Sequence, residues 1–164
     1  DPAVVFHLIR NAHMSVDELD TLFNKRSGMM GLTGFGDLRE VHRLVEEGNE
    51  DAKLALDIYV HRIVGYIGNY TAQMGGVDVI TFTAGVGEND DVVRKMVCDK
   101  LAPFGVKLDE EKNATRSKEP RIISTPDSAV TICVIPTNEE LAIARKSAAI
   151  AEEGKDSYGN VFSK

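Results

Sequence analysis

Apolar positions recur at helical spacing from the start of the chain. Val4, Val5, Leu8 and Ile9 predict a helix to about Asn11, with Pro2 in its first turn behind Asp1. Ser15 followed three residues later by Glu18 fits a capping box, and Val16, Leu19, Leu22 and Phe23 give the next helix its apolar face. The stretch "SGMMGLTGFGD", Ser27 to Asp37, holds four glycines and predicts a loop that delivers something to a fixed place. Helical spacing resumes with Leu38, Val41, Leu44 and Val45 and stops near Gly48. Asn49 then opens a long periodic run to about Met74. Its apolar residues lie on more than one face, which predicts a largely buried helix.

Gly75 and Gly76 end that run, and "VDVITFT", Val77 to Thr83, is β-branched and nearly continuously apolar. That pattern predicts a central strand covered on both faces. After a glycine turn, Val92, Val93, Met96, Val97 and Leu101 predict a helix from Asn89 to Leu101, closed by Pro103 and Gly105. "GVKLD" suits a short strand or turn, and "EEKNATRSKEP" is polar without periodicity. Arg121 to Ser124 and Ala129 to Ile135 are two further strands. Pro136 stops the last one. Thr137, with Glu140 three residues on, then caps a helix that runs to about Glu152, and a polar tail follows. The order, helices and then β–α–β–β–α, is that of an α/β fold with strands between helices. In such sheets ligands sit beyond the carboxyl ends of strands, so the chemistry is expected at two turns, Ala84 to Asn89 and Pro136 to Glu140.

Composition narrows the options. With 164 residues and 43% hydrophobic content, the chain suits one globular domain or one lobe of a larger protein. A net charge of −7 and a pI near 5.1, without any basic block, argue against nucleic acid or an anionic membrane as partner. No apolar run approaches the roughly 18 residues that cross a bilayer, so a soluble cytoplasmic protein is expected. The opening lacks Met and runs from Asp-Pro straight into an apolar segment, which reads as a fragment boundary. Cys98 and Cys133 stand far apart in apolar settings and read as buried free thiols, and the four histidines show no metal-binding spacing.

Gly85 and Gly87 remove two Cβ atoms where a strand gives way to a helix. Main-chain N–H groups can then approach a phosphate closely, although a tight turn with packing glycines explains the pattern equally well. Glu88, Asp90 and Asp91 would repel a phosphate: they either simply suit a helix N-terminus or lie beside a metal that cancels their charge. Glu139 and Glu140 either cap their helix or help hold Mg²⁺. Asp37 is either an N-cap or an acceptor for a ribose hydroxyl. Arg39 is either a surface residue or a purine or phosphate contact.

Taken together and in this order, "SGMMGLTGFGDLREV", "TFTAGVGEND" and "VIPTNEELAIA" resemble the C-terminal part of acetate kinase and its propionate and butyrate kinase relatives. The similarity runs from the first residues to about Ala149. It implies a ribonuclease H-like lobe of the sugar kinase, Hsp70 and actin type, a mixed sheet flanked by helices, spanning residues 1–152 with a tail from 153. It also implies phosphoryl transfer between ATP and acetate to give acetyl phosphate and ADP, with Mg²⁺. Carried over by position, Asp37, Leu38 and Arg39 match the adenosine contacts, and Gly85, Val86, Gly87, Glu88 and Asn89 match the loop at the nucleotide. Glu139 matches the acid associated with Mg²⁺. The loop before Asp37 departs from the family, with Gly36 where two serines usually precede the acid. The family's acetate pocket and catalytic Arg, His and Asp have no counterpart here, so no catalytic residue is expected and the chain alone is expected to be inactive. The family also pairs through this lobe, which makes a non-catalytic dimerisation lobe the alternative. A dehydrogenase-like domain fails for want of GxGxxG.

Overall fold

The computed structural model describes residues 1–153, which divide into two compact units meeting at Gly76 and Val77. Of the tail expected from residue 153, Glu153 is helical and the rest lies outside the described residues.

The first unit is helical. Helix α1, Ala3–Asn11, starts behind Pro2, and the Asp1 carboxylate accepts from the Ala3 N–H at 2.8 Å. Helix α2, Val16–Lys25, carries the expected capping box: Ser15 Oγ accepts from the Glu18 N–H, and Glu18 Oε2 accepts from the Ser15 N–H. The glycine-rich stretch departs from the loop expected of it, because Gly28–Thr33 winds into a short helix, α3. Gly31 is required there, since a Cβ would stand 2.7 Å from the Arg26 carbonyl oxygen. Helix α4, Leu38–Glu46, and the 25-residue α5, Glu50–Met74, complete the unit. Asn49 Oδ1 caps α5 by accepting from the Ala52 N–H, and Gly75 ends it with φ of 76°.

Ala52, Ala55, Leu56 and Val60 form the buried stripe of α5, which packs against α3 and α4. Complete burial of Val41 and Val60 contributes on the order of 1.5–3 kcal/mol for each side chain. The expectation of a largely buried α5 is corrected, however: Leu54, Ile58, Tyr66, Tyr70 and Met74 are exposed. The apolar surface is wider than the stripe that the unit covers.

The second unit holds a three-stranded sheet in the order β1-β3-β2: β1 is Val79–Phe82, β2 is Arg121–Ile122 and β3 is Thr131–Val134. β1 pairs parallel to β3, and β2 pairs antiparallel on its other side. Among the described strands β3 is therefore the central one. β1 lies at an edge with Val79 exposed, which corrects the reading of Val77–Thr83 as central. A continuous apolar run cannot tell those two places apart. Helix α6, Ala84–Asn89, and α7, Asp91–Lys100, follow β1, and Ala102–Phe104 adds a 3-10 turn. The segment read as aperiodic contains α8, Glu110–Ala114, capped by Asp109. The last described helix is α9, Glu139–Glu153. Val93, Val97, Leu101, Ile123, Ile132 and Val134 are buried as the core of this unit. Among the described residues no helix is long and apolar enough to cross a membrane.

Candidate functional site

Parallel pairing sets Phe82 opposite Val134, and Ile135 N–H donates to the Phe82 carbonyl at 2.9 Å. The carboxyl ends of β1 and β3 therefore lie side by side, and the two turns singled out in the sequence emerge together.

The first turn is helical from the start. Ala84 enters it with φ of 59°, a left-handed conformation that a residue with a Cβ seldom adopts. Thr83 supplies no side-chain cap. Asn89 closes the six-residue α6 by donating Nδ2 to the Gly85 carbonyl at 2.8 Å. Asp90 then caps α7, accepting from the Val93 N–H at 2.9 Å, so the helix expected from Asn89 begins at Asp91.

The two glycines have different reasons for being there. At Gly87 a Cβ would stand 3.1 Å from the Phe82 carbonyl carbon, so this glycine lets the turn pack tightly against β1. At Gly85 a Cβ would meet nothing within 4 Å. Its bare backbone faces open space and is approachable from outside.

Glu88 joins this turn to the second one. Its Oε1 accepts from the Thr137 N–H at 2.7 Å and from Thr137 Oγ1 at 2.9 Å. The backbone bond from Thr137, followed by the hydroxyl bond, holds the Glu88 carboxyl below its ordinary range. With Thr137 engaged in this way, the cap of α9 passes to Asn138, whose Oδ1 accepts from the Leu141 N–H at 2.9 Å. That corrects the expectation that Thr137 caps the helix. Glu139 stands two residues beyond Thr137, exposed in the first turn of α9. Among the described residues no three His, Cys, Asp or Glu side chains gather as a metal site. A lone carboxylate still suits a hard cation such as Mg²⁺, which keeps most of its ligands as water or phosphate oxygen.

Beneath the turn lies a residue that sequence reasoning missed. Arg94, on α7, is 2% exposed. Its Nη1 donates to the Gly87 and Glu88 carbonyls at 2.9 and 3.0 Å. Nε donates to Asn113 Oδ1 and Nη2 to the Asn113 carbonyl, both at 2.7 Å. Asn113, buried on α8, in turn donates Nδ2 to the Asp91 carbonyl at 2.9 Å. Burial, and after it the like charge of Arg121, lowers the guanidinium pKa, and the charges of Asp91 and Asp90 oppose that shift. A signal was present in the sequence, since Arg94 falls among Val93, Val97, Cys98 and Leu101, on the face of α7 that is otherwise apolar.

Asp37, Leu38 and Arg39 belong to the first unit. Asp37 is the N-cap of α4, accepting from the Arg39 N–H at 2.9 Å, while Arg39 Nε and Nη2 turn back onto the same carboxylate. The Arg39 side-chain bond, then its backbone bond, draws the Asp37 carboxyl down to about 2. Thus Gly85 to Asn89 and the approach to Glu139 are brought together within the second unit, while the nucleoside candidates sit in the first.

Comparison with known proteins agrees with this architecture. The sequence matches the acetokinase family over residues 1–145. It is 56% identical over 147 residues to an acetate kinase of Leifsonia xyli subsp. xyli, a match covering 90% of this chain and 37% of that protein. The crystal structure of Porphyromonas gingivalis acetate kinase superposes with a TM-score of 0.82 at 40% identity, covering 92% of this chain and 38% of that one. A propionate kinase from Francisella tularensis subsp. tularensis SCHU S4 gives 0.79 at 38% identity, covering 88% and 37%. The chain thus spans less than two-fifths of the length of these relatives.

Proposed function

The chain belongs to the acetokinase family, and on that premise we propose that it is the nucleotide-side lobe of an acetate kinase, which transfers phosphoryl between ATP and acetate to give acetyl phosphate and ADP. Residues 1–152 form that lobe of a cytoplasmic, homodimeric enzyme. Short-chain carboxylate and nucleotide are its substrates, with no role for nucleic acid or membrane.

The observation that carries the reading is the open backbone at Gly85, set beside the start of α9 by the Glu88–Thr137 pair. In this reading the Gly85–Asn89 turn lies against the nucleotide's phosphates. Gly85 and Val86 present backbone there, Gly87 keeps the turn tight against β1, Asn89 closes it, and Glu88 fixes its distance from α9. Asp37, Leu38 and Arg39 contact the nucleoside. Glu139 would hold Mg²⁺ directly or through water, and that ion supplies positive charge to the phosphate oxygens. Phosphoryl transfer depends on positioning and charge from both sides of the group in flight. This lobe supplies one side, so these 164 residues alone form no acetyl phosphate; its detection as the hydroxamate would contradict that.

Calorimetric titration of MgADP into the chain and a Gly85→Ala variant tests the assignment. Saturable binding that weakens in the variant, at unchanged thermal stability, is expected. Binding undiminished by the substitution places the nucleotide elsewhere, and no binding in either protein removes nucleotide recognition from this chain.

The exposed apolar residues of α5, Leu54, Ile58, Tyr66 and Tyr70, favour a second role as a pairing surface. The roles separate by response: nucleotide binding raises stability with MgADP, whereas pairing raises it with protein concentration.

A further inference from the structure

We infer that Arg94 and Asn113 form a positioning pair that fixes the nucleotide-facing turn from below, an inference that rests on the reading of Gly85–Asn89 as the phosphate side of the site. Three observations lead to it. First, α6 is too short to hold its own shape and is entered through the disfavoured φ of Ala84. Such a conformation persists only where its surroundings over-determine it. Second, the carbonyls at the far end of the turn, those of Gly87 and Glu88, are both taken by one guanidinium nitrogen that has nowhere else to go. Third, Asn113 supplies two acceptors to the same guanidinium and ties the chain at Asp91, so α8 steadies both Arg94 and the first residue of α7.

The pair also answers an electrostatic difficulty. Glu88, Asp90 and Asp91 crowd a turn meant to receive an anion. Glu88 is engaged by Thr137, and Asp90 caps α7. Arg94 then places a full positive charge within electrostatic reach of Asp90 and Asp91. A lysine cannot replace it, because one ammonium cannot span the turn carbonyls and both Asn113 acceptors. Nothing here requires Arg94 to touch the nucleotide; it acts through the backbone.

The test compares the chain with an Asn113→Ala variant, which keeps the backbone acceptor, and with Ile123→Val, a core change remote in kind from the pair. Amide hydrogen exchange of Asp90, whose N–H donates to the Val86 carbonyl and closes the turn, exchange of Ile132 in the core, whose N–H donates to Ser124 Oγ, and MgADP affinity are read in each. Asn113→Ala should speed exchange in the turn by about tenfold or more beyond any change at Ile132, and should weaken MgADP binding. Ile123→Val should affect turn and core amides alike. If Asn113→Ala frees the turn no more than the core, or frees it without loss of affinity, the inference is overturned. Should the unaltered chain fail to bind MgADP, the functional reading falls, while exchange still decides whether the pair orders the turn.

Discussion

Glu88 and Thr137, 49 residues apart, are joined by two hydrogen bonds to a single carboxylate oxygen, at 2.7 Å from the Thr137 N–H and 2.9 Å from its hydroxyl. Both bonds favour the ionised carboxylate, so its pKa in the folded chain lies below the ordinary 4.5. A depressed carboxyl pKa contributes stability that is present above 4.5 and is lost as pH falls through the lowered value. The Thr137 amide resonance should therefore titrate with a midpoint below 4.5. A midpoint at or above that value would contradict the bond pattern.

Ala84 adopts φ of 59° at the entrance to α6. Substituting alanine by glycine inside a helix ordinarily costs about 1 kcal/mol, whereas a left-handed non-glycine residue stores on the order of 1–3 kcal/mol of strain. Ala84→Gly should thus be neutral or stabilising by up to about 1 kcal/mol in denaturant unfolding. A loss of about 1 kcal/mol or more would mean that the conformation is not strained.

The two turn glycines should behave oppositely. Gly87→Ala sets a Cβ 3.1 Å from the Phe82 carbonyl carbon, so that turn or strand must shift to admit it, and should cost about 1–3 kcal/mol. Gly85→Ala enters open space and should leave stability equal or slightly raised. Equal losses at both positions would show that Gly85 is also a packing residue.

Cys98 is buried on α7, and burial pushes its thiol up to about 11. In the native chain a disulfide reagent should react first with Cys133, which is less buried, and with Cys98 only on unfolding. Rapid labelling of both would indicate that the core of the second unit opens readily.

What the sequence made legible was mainly local. The Ser15–Glu18 capping box, the helix that opens at Asn49 and stops at Gly75, and a strand within Val77 to Thr83 each depend on residues within a few positions, and each is found. The family pattern carried the fold class further than spacing alone could. What failed depended on distant partners. Thr137 has the right chemistry for an N-cap, but Glu88 engages it, and the role moves one residue to Asn138. β1 reads as central because its apolar run is unbroken, yet strand order is a property of pairing. Asn113 sits in a five-residue helix too short to show periodicity, so its link to Arg94 left no trace in the pattern. At the candidate site, glycine content suggested an approachable backbone but could not separate Gly85 from Gly87; only their neighbours do that.

The most direct measurement is a backbone amide map of the chain titrated with MgADP. If the nucleotide sits where proposed, saturable shifts concentrate on Gly85 to Asn89 and on Thr137 to Glu139, with a second group at Asp37 to Arg39, while Tyr66 and Gly68 on α5 stay still. Shifts confined to other residues, or none that saturate, would contradict the placement of the nucleotide at the Gly85 turn.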